Sequence, residues 1–413
     1  MFVKTLSLIL FLLLSSSILS AQEKVDDQAK FGIKFNGYVK TDMFYDSRQT
    51  VAAREGHYLL YPAGELLDVN SDDINAKDNL NILSIQTRLT SKITAPDALG
   101  AKVSGLIEAA FFGQTEGDIN GFRLRHAFIK MQWKKSSLLF GQYWHPMFIT
   151  EVYPTTLSSN AGLPFQAMSR NPQIKYSYQQ GAYHLSLTAL SQIDFMNDGP
   201  NGASTSYLRN AALPIMDANI KYKSKNIVVG AGINYKKLHP RLQNTEGDDI
   251  YIADEEISST AFMGFAKFTK NKFSWKVEGI YGGNLTDLVM LGGYAVADTN
   301  DLGFESKYTD VKTVSAWTEL IYGNDLQVAL FSGYTENLGA DDNIIGDYYS
   351  RGKNIANVIR FSPRIQYKAG RALYGVEVEY TVAEYGTPDI KGVVQNGESV
   401  GNLRILLAGY LFF

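Results

Sequence analysis

From Leu403 to Phe413, apolar or small residues stand at every second position: Leu403, Ile405, Leu407, Gly409, Leu411 and Phe413. Between them lie Asn402 and Arg404 at one end and Ala408, Tyr410 and Phe412 at the other. A two-residue period sends alternate side chains to opposite faces of a strand. The segment therefore has one apolar face, one partly polar face and an aromatic end. Such a strand suits a wall between lipid and water. Alone, it suits the half-buried sheet of a soluble sandwich equally well. What separates the two is recurrence.

Over 31–46 the odd positions Phe31, Ile33, Phe35, Gly37, Val39, Thr41, Met43 and Tyr45 oppose Lys34, Asn36, Lys40, Asp42 and Asp46. A second run puts Leu83, Ile85, Thr87, Leu89 and Ile93 opposite Ser84, Gln86, Arg88, Thr90 and Lys92. The same reading predicts strands near 101–113, 121–133, 136–143, 172–179, 182–192, 214–222 and 226–237. Others follow near 258–270, 272–283, 311–322, 325–335, 355–368, 371–383 and 400–413, sixteen in all. Short links, such as Lys134–Lys135, Gln180–Gly181, Asn271 and Ala369–Gly370, alternate with longer loops throughout. An up-and-down barrel imposes this rhythm, with short turns on the periplasmic side and long loops outside. An even strand count puts both termini in the periplasm. The expected fold is all-β: a transmembrane antiparallel up-and-down β-barrel of about 16 strands over 31–413.

The N-terminus points the same way. Lys4, the apolar run Leu6 to Leu14 and small residues to Ala21 read as a secretory signal over 1–21, followed by a short periplasmic lead over 22–30. With no Cys, a lipid anchor is excluded, and no second apolar run is long enough for a helical span. Against 42 acidic residues stand 39 basic ones, a net charge of −3, which is no footprint for nucleic acid. The outer membrane is the expected location.

Within a barrel the polar face becomes the lumen. Its candidate pore-lining residues are Lys34, Lys40, Arg88, Lys92, Glu108, Arg360, Arg364, Lys368, Glu377, Glu379 and Arg404. Closure makes strands 14, 15, 16, 1 and 2 neighbours, so the basic members form one arc, partly neutralised by Glu377 and Glu379. That arc is either a weak anion filter or a structural ion-pair network. The loop from Trp144 to Asn171 is the candidate constriction, with Glu151, Tyr153, Phe165 and Arg170 named for it; a plain surface loop is the other reading. Between Gly121 and Trp133, Arg123 and Arg125 share a face with Ala127, Ile129 and Met131. Either a bulge flips the phase, or the basic half rises above the bilayer.

No His-Glu-x-x-His, Gly-x-Ser-x-Gly or phosphate-loop pattern occurs, so no metal or other cofactor is expected. His184 with Ser186 is the one local hint of a hydrolase, beside which pore-lining polarity is the simpler reading. A barrel-displayed adhesin is a third. Asp68-x-Asn70-x-Asp72 begins like a calcium loop, but Asp73 and Asn79 replace the needed Gly and Glu.

Three features carry a family resemblance: the stretch Asn120-Gly121-Phe122-Arg123-Leu124-Arg125-His126-Ala127, Phe140-Gly141-Gln142 ahead of a long loop, and the aromatic C-terminus. On these the chain resembles the sixteen-stranded outer-membrane porins, of DcaP-like and phosphate-selective-porin-like type. The resemblance implies a non-enzymatic pore for small polar or anionic solutes, a wall in outer-membrane lipid and a homotrimer. It also implies recognition of Phe413 by the barrel-assembly machinery. The coiled-coil start of DcaP-like porins and the arginine ladder of phosphate-selective ones have no counterpart here, so phosphate selectivity is not carried over.

Overall fold

The computed structural model describes residues 31–113 and 116–413. The signal over 1–21 and the lead over 22–30 lie outside the described residues. Barrel strand β1 is Gly32–Asp46, and β2 has two pieces, Asn79–Leu83 and Arg88–Ala98. Next come β3 Ala101–Ala110, β4 Arg123–Gln132, β5 Ser136–Trp144 and β6 Arg170–Gln180. The middle of the wall is β7 Tyr183–Leu190, β8 Ile215–Lys223, β9 Ile227–Leu238, β10 Ile257–Lys270 and β11 Phe273–Gly283. It ends with β12 Glu305–Gly323, β13 Leu326–Gly339, β14 Ile355–Ala369, β15 Ala372–Pro388 and β16 Val394–Phe412.

Each strand pairs antiparallel with its neighbours in sequence. β16 then returns to β1, from Tyr38 opposite Phe412 to Asp46 opposite Arg404. The sheet is a closed sixteen-stranded barrel, without the exposed edge that an open sheet must protect. Short turns at one end use Gly100, Gly181, Asn271 and Gly370 at positive φ, where a left-handed residue turns the chain tightly.

The alternation read from the sequence becomes two faces. Phe35, Val39 and Met43 of β1 point out, while Lys40, Asp42 and Asp46 are buried within. Exposed rings such as Tyr176, Tyr183, Tyr222, Trp275, Tyr322 and Tyr374 girdle the short-turn end, and Phe262, Tyr281, Tyr334, Phe361 and Tyr380 the other. Two aromatic belts separated by aliphatic wall match an apolar band with an interface on each side.

Two local departures matter. β2 breaks between Leu83 and Arg88, so Leu83, Ile85 and Leu89 do not share one face as the alternation suggested: Ile85 is buried and Leu89 faces out. In β4 the register slips between Glu108–His126 and Ala109–Leu124, leaving Arg125 as the extra residue. This bulge answers the ambiguity at 121–133, because it lets Arg123, Arg125 and His126 turn inward while Leu124 and Ile129 face out.

The seam between β16 and β1 is fixed electrostatically. Arg404, fully buried, donates from Nε and Nη2 to Asp46 at 2.9 and 2.6 Å and from Nη1 to the Gly56 carbonyl at 2.8 Å. Its guanidinium lies over the Phe44 ring at 4.4 Å. Replacing Arg404 by Ala leaves Asp46 buried beside a cavity, and breaking such a pair costs about 3–5 kcal/mol. We expect R404A to unfold at markedly lower denaturant in detergent micelles. An unchanged midpoint would show that the seam does not depend on this pair.

The pore and its constriction

Three segments from the long-loop end fold into the barrel. The largest is 145–169, between β5 and β6. Met147, Phe148, Leu163, Phe165 and Met168 of this loop bury against inner-wall residues Met263, Phe265, Trp317 and Phe331. A hairpin, Thr50–Ala53 with Tyr58–Pro62, adds Tyr58, Leu60 and Tyr61, and Leu288–Leu291 complete the apolar cluster. Burying that much apolar side chain accounts for the inward fold, since exposing it to a wet lumen would forfeit roughly 1.5–3 kcal/mol for each large side chain. The wall also makes room. A Cβ at Gly333 would meet the Phe165 ring at 2.4 Å, and one at Gly375 would meet Leu157 Cδ1 at 2.4 Å.

Polar contacts then hold the loop in place. Glu319, fully buried on β12, sits between Lys276 at 2.7 Å and Arg364 at 2.8 Å and accepts from the Thr155 backbone N–H at 3.0 Å. Glu377 accepts from the Leu157 N–H at 2.5 Å, and Glu379 from Asn160 Nδ2 at 2.9 Å. Lys40 donates to the Leu157 carbonyl at 2.8 Å and pairs with Asp42 at 3.0 Å. Arg360 reaches the carbonyls of Leu163, at 2.6 Å, and of Leu59 and Leu60.

The basic arc expected from the sequence is thus brought together, but its members are engaged. Lys40, Arg360, Arg364, Glu377 and Glu379 hold the inward segments, while Arg404 holds the seam. Lys34 and Lys92 face each other in register toward the short-turn mouth, and Lys368 lies exposed beside a short turn. Of the residues named for the constriction, Glu151 pairs with Lys221 at 2.5 Å and Tyr153 stacks on Phe148 with ring centroids 5.0 Å apart. Phe165 is buried in the apolar cluster. Arg170 begins β6 and so belongs to the wall rather than to the loop. Burial raises the pKa of the Glu151 carboxyl, but the Lys221 hydrogen bond and charge outweigh it and leave the group at about 2.

Beside this arc, Arg88 of β2 and Glu108 of β3, both expected on the inner face, join a second basic cluster that continues to β6. Asp194 receives Arg123 at 2.5 Å and Arg170 at 2.7 Å, with Arg54 at 3.6 Å. Glu108 receives Arg125 at 2.9 Å and Arg88 at 3.5 Å. Five arginines against two carboxylates leave an excess of three positive charges. The guanidiniums of Arg125 and Arg170 lie over the Trp144 ring at 5.7 and 5.0 Å. Burial raises the Asp194 carboxyl, yet its arginines outweigh this and hold it well below the usual range. Sequence reading noticed Arg123 and Arg125 but missed Arg54 and Asp194, which lie in distant loops with no pattern around them.

No family model matches the chain, and no curated protein is similar enough to match. Solved structures do match. The outer membrane channel DcaP of Acinetobacter baumannii superposes with a TM-score of 0.67 at 17% identity, over 94% of this chain and 99% of that one. The fold is that of the outer-membrane porins. OmpT, an outer membrane protein of Vibrio cholerae, follows with a TM-score of 0.56 at 12% identity, over 94% of this chain and 100% of that one. OmpF of Salmonella typhi gives 0.50 at 11% identity, over 95% and 100%. At these identities the likeness is one of fold. The porin-like barrel, with its two aromatic belts, fits an outer-membrane location.

Proposed function

We propose that the protein is an outer-membrane porin through which small polar solutes diffuse passively, with a preference for anions. A sixteen-stranded barrel is wide enough to leave an aqueous channel, where eight strands would be filled by side chains. The observation that carries the reading is the loop 145–169, folded inside a closed barrel and fastened to its wall from β8 round to β1. In this reading solutes pass between the loop and the arginine-bearing wall of β2 to β6. The long loops face outward and the short turns the periplasm. In this reading the wall lies in outer-membrane lipid, Phe413 serves the barrel-assembly machinery, and the functional unit is a homotrimer; OmpT of Vibrio cholerae has been solved in a trimer form.

Anion preference follows from the excess of charge around Arg123, Arg125 and Arg170, because a basic surface with low-dielectric walls concentrates anions. In a salt gradient the wild type should give an anion-selective reversal potential. Replacing Arg123 and Arg125 together by Ser should shift it toward cations. The difference should fade near 1 M salt, where the screening length is about 3 Å. A cation-selective wild type would assign control to the acidic loops instead.

A further inference from the structure

Beneath the inward loop, between it and the short turns, lies a recess of about 350 Å³ in the lumen wall of β4 to β8. That volume is within the range of small-molecule sites, about 300–1,000 Å³. Its composition differs from the arginine cluster. Ser137, Ser177, Ser186 and Asn219 stand in register on four successive strands, so they form one row across the wall. Neighbouring members are spaced by one strand, about 4.8 Å.

Two cations border this row. Lys130 and Lys175 both line the recess, and neither forms an ion pair or a side-chain hydrogen bond among the described residues. A third, Lys221, is occupied by Glu151 at 2.5 Å. Toward the loop the recess is closed by Trp144, at the end of β5, and Phe148 of the loop, which stack with centroids 4.0 Å apart and planes 13° from parallel. His184 and Ser186, the pair that hinted at a hydrolase, both line this recess. His184 stands in register with Lys221, and no hydrogen bond joins it to Ser186.

We infer that this recess is a subsite for a carboxylated sugar on its way through the pore, which rests on the porin reading above. Each part of such a ligand has a counterpart. An ammonium group makes a charge-assisted hydrogen bond to a carboxylate. Lysine supplies it as a mobile point charge rather than the planar fork that arginine offers. A rigid ring bearing several hydroxyls can meet two or three members of the row at once, where acetate can meet one.

The test uses the purified full chain in planar bilayers, with glucuronate, glucose and acetate added in turn to a KCl bath. Glucuronate should block the KCl current at lower concentration than either of the others. The K130Q/K175Q variant should bind glucuronate about tenfold more weakly while leaving the glucose response unchanged; S177A/S186A should weaken both sugars. Equal blockade by acetate and glucuronate, or an unaltered K130Q/K175Q, would overturn the subsite. Tryptophan fluorescence separates the two claims. Glucuronate binding without any KCl conductance would keep the site and remove the pore, whereas conductance without glucuronate binding would do the reverse.

Discussion

Deleting residues 155–163 should raise single-channel conductance several-fold. This stretch holds the contacts to Glu319, Glu377, Glu379 and Lys40, and Leu163 shares the apolar cluster with Phe165. Without it, the loop loses its hold on the β12, β15 and β1 side of the wall and the lumen widens there. The barrel itself should survive, because none of the deleted residues belongs to a wall strand. A folded variant with unchanged conductance would place the constriction elsewhere, either in the hairpin of Tyr58–Pro62 or among the arginines.

Glu319 is the next most consequential residue. It pairs with two buried cations, Lys276 and Arg364, and it also receives the Thr155 N–H. Replacing it by Gln leaves two like charges facing each other in a dry wall. Removing one member of a buried ionic group costs about 3–5 kcal/mol, because the remaining charges keep their desolvation penalty without compensation. Unfolding of E319Q in denaturant should therefore shift to much lower concentration, and its conductance should rise as Thr155 is released. The triple variant K276M/E319L/R364M should recover most of the stability, since apolar replacement removes the penalty with the pair. If E319Q and the triple variant were equally unstable, packing rather than charge would govern this part of the wall.

The wall was legible in the sequence and the interior much less so. Strands such as β1 and β15 carry charge on one face and aliphatic or aromatic residues on the other, and that contrast fixes both their existence and their orientation. Turn lengths then order them into a barrel. In β10 the contrast fails, because Phe262 faces out while Met263 and Phe265 face in. Similarly, Trp317 and Phe331 line the inside of β12 and β13. Period-two alternation cannot say which of two apolar faces meets lipid, so the greasy seat for the loop went unseen.

Charge reading met the same limit. Arg360, Arg364 and Arg404 are buried on the inner face, but whether an inward charge meets solute or a folded-in loop depends on contacts some 200 to 300 residues apart in sequence, such as Arg360 with Leu163 and Leu59. Arg54 and Asp194 come from irregular segments with no period at all. By contrast, the Arg123/Arg125 ambiguity was visible as a break in phase, and it marked a real bulge.

The central claim is that this chain forms an open, passive pore narrowed by a wall-bound loop. Recordings of the purified wild-type protein in planar bilayers test it most directly. The predicted result is discrete conductance steps whose size scales with salt concentration, is independent of any energy source, and increases in the 155–163 deletion. A correctly folded protein that inserts yet gives no steps at any salt concentration would contradict it.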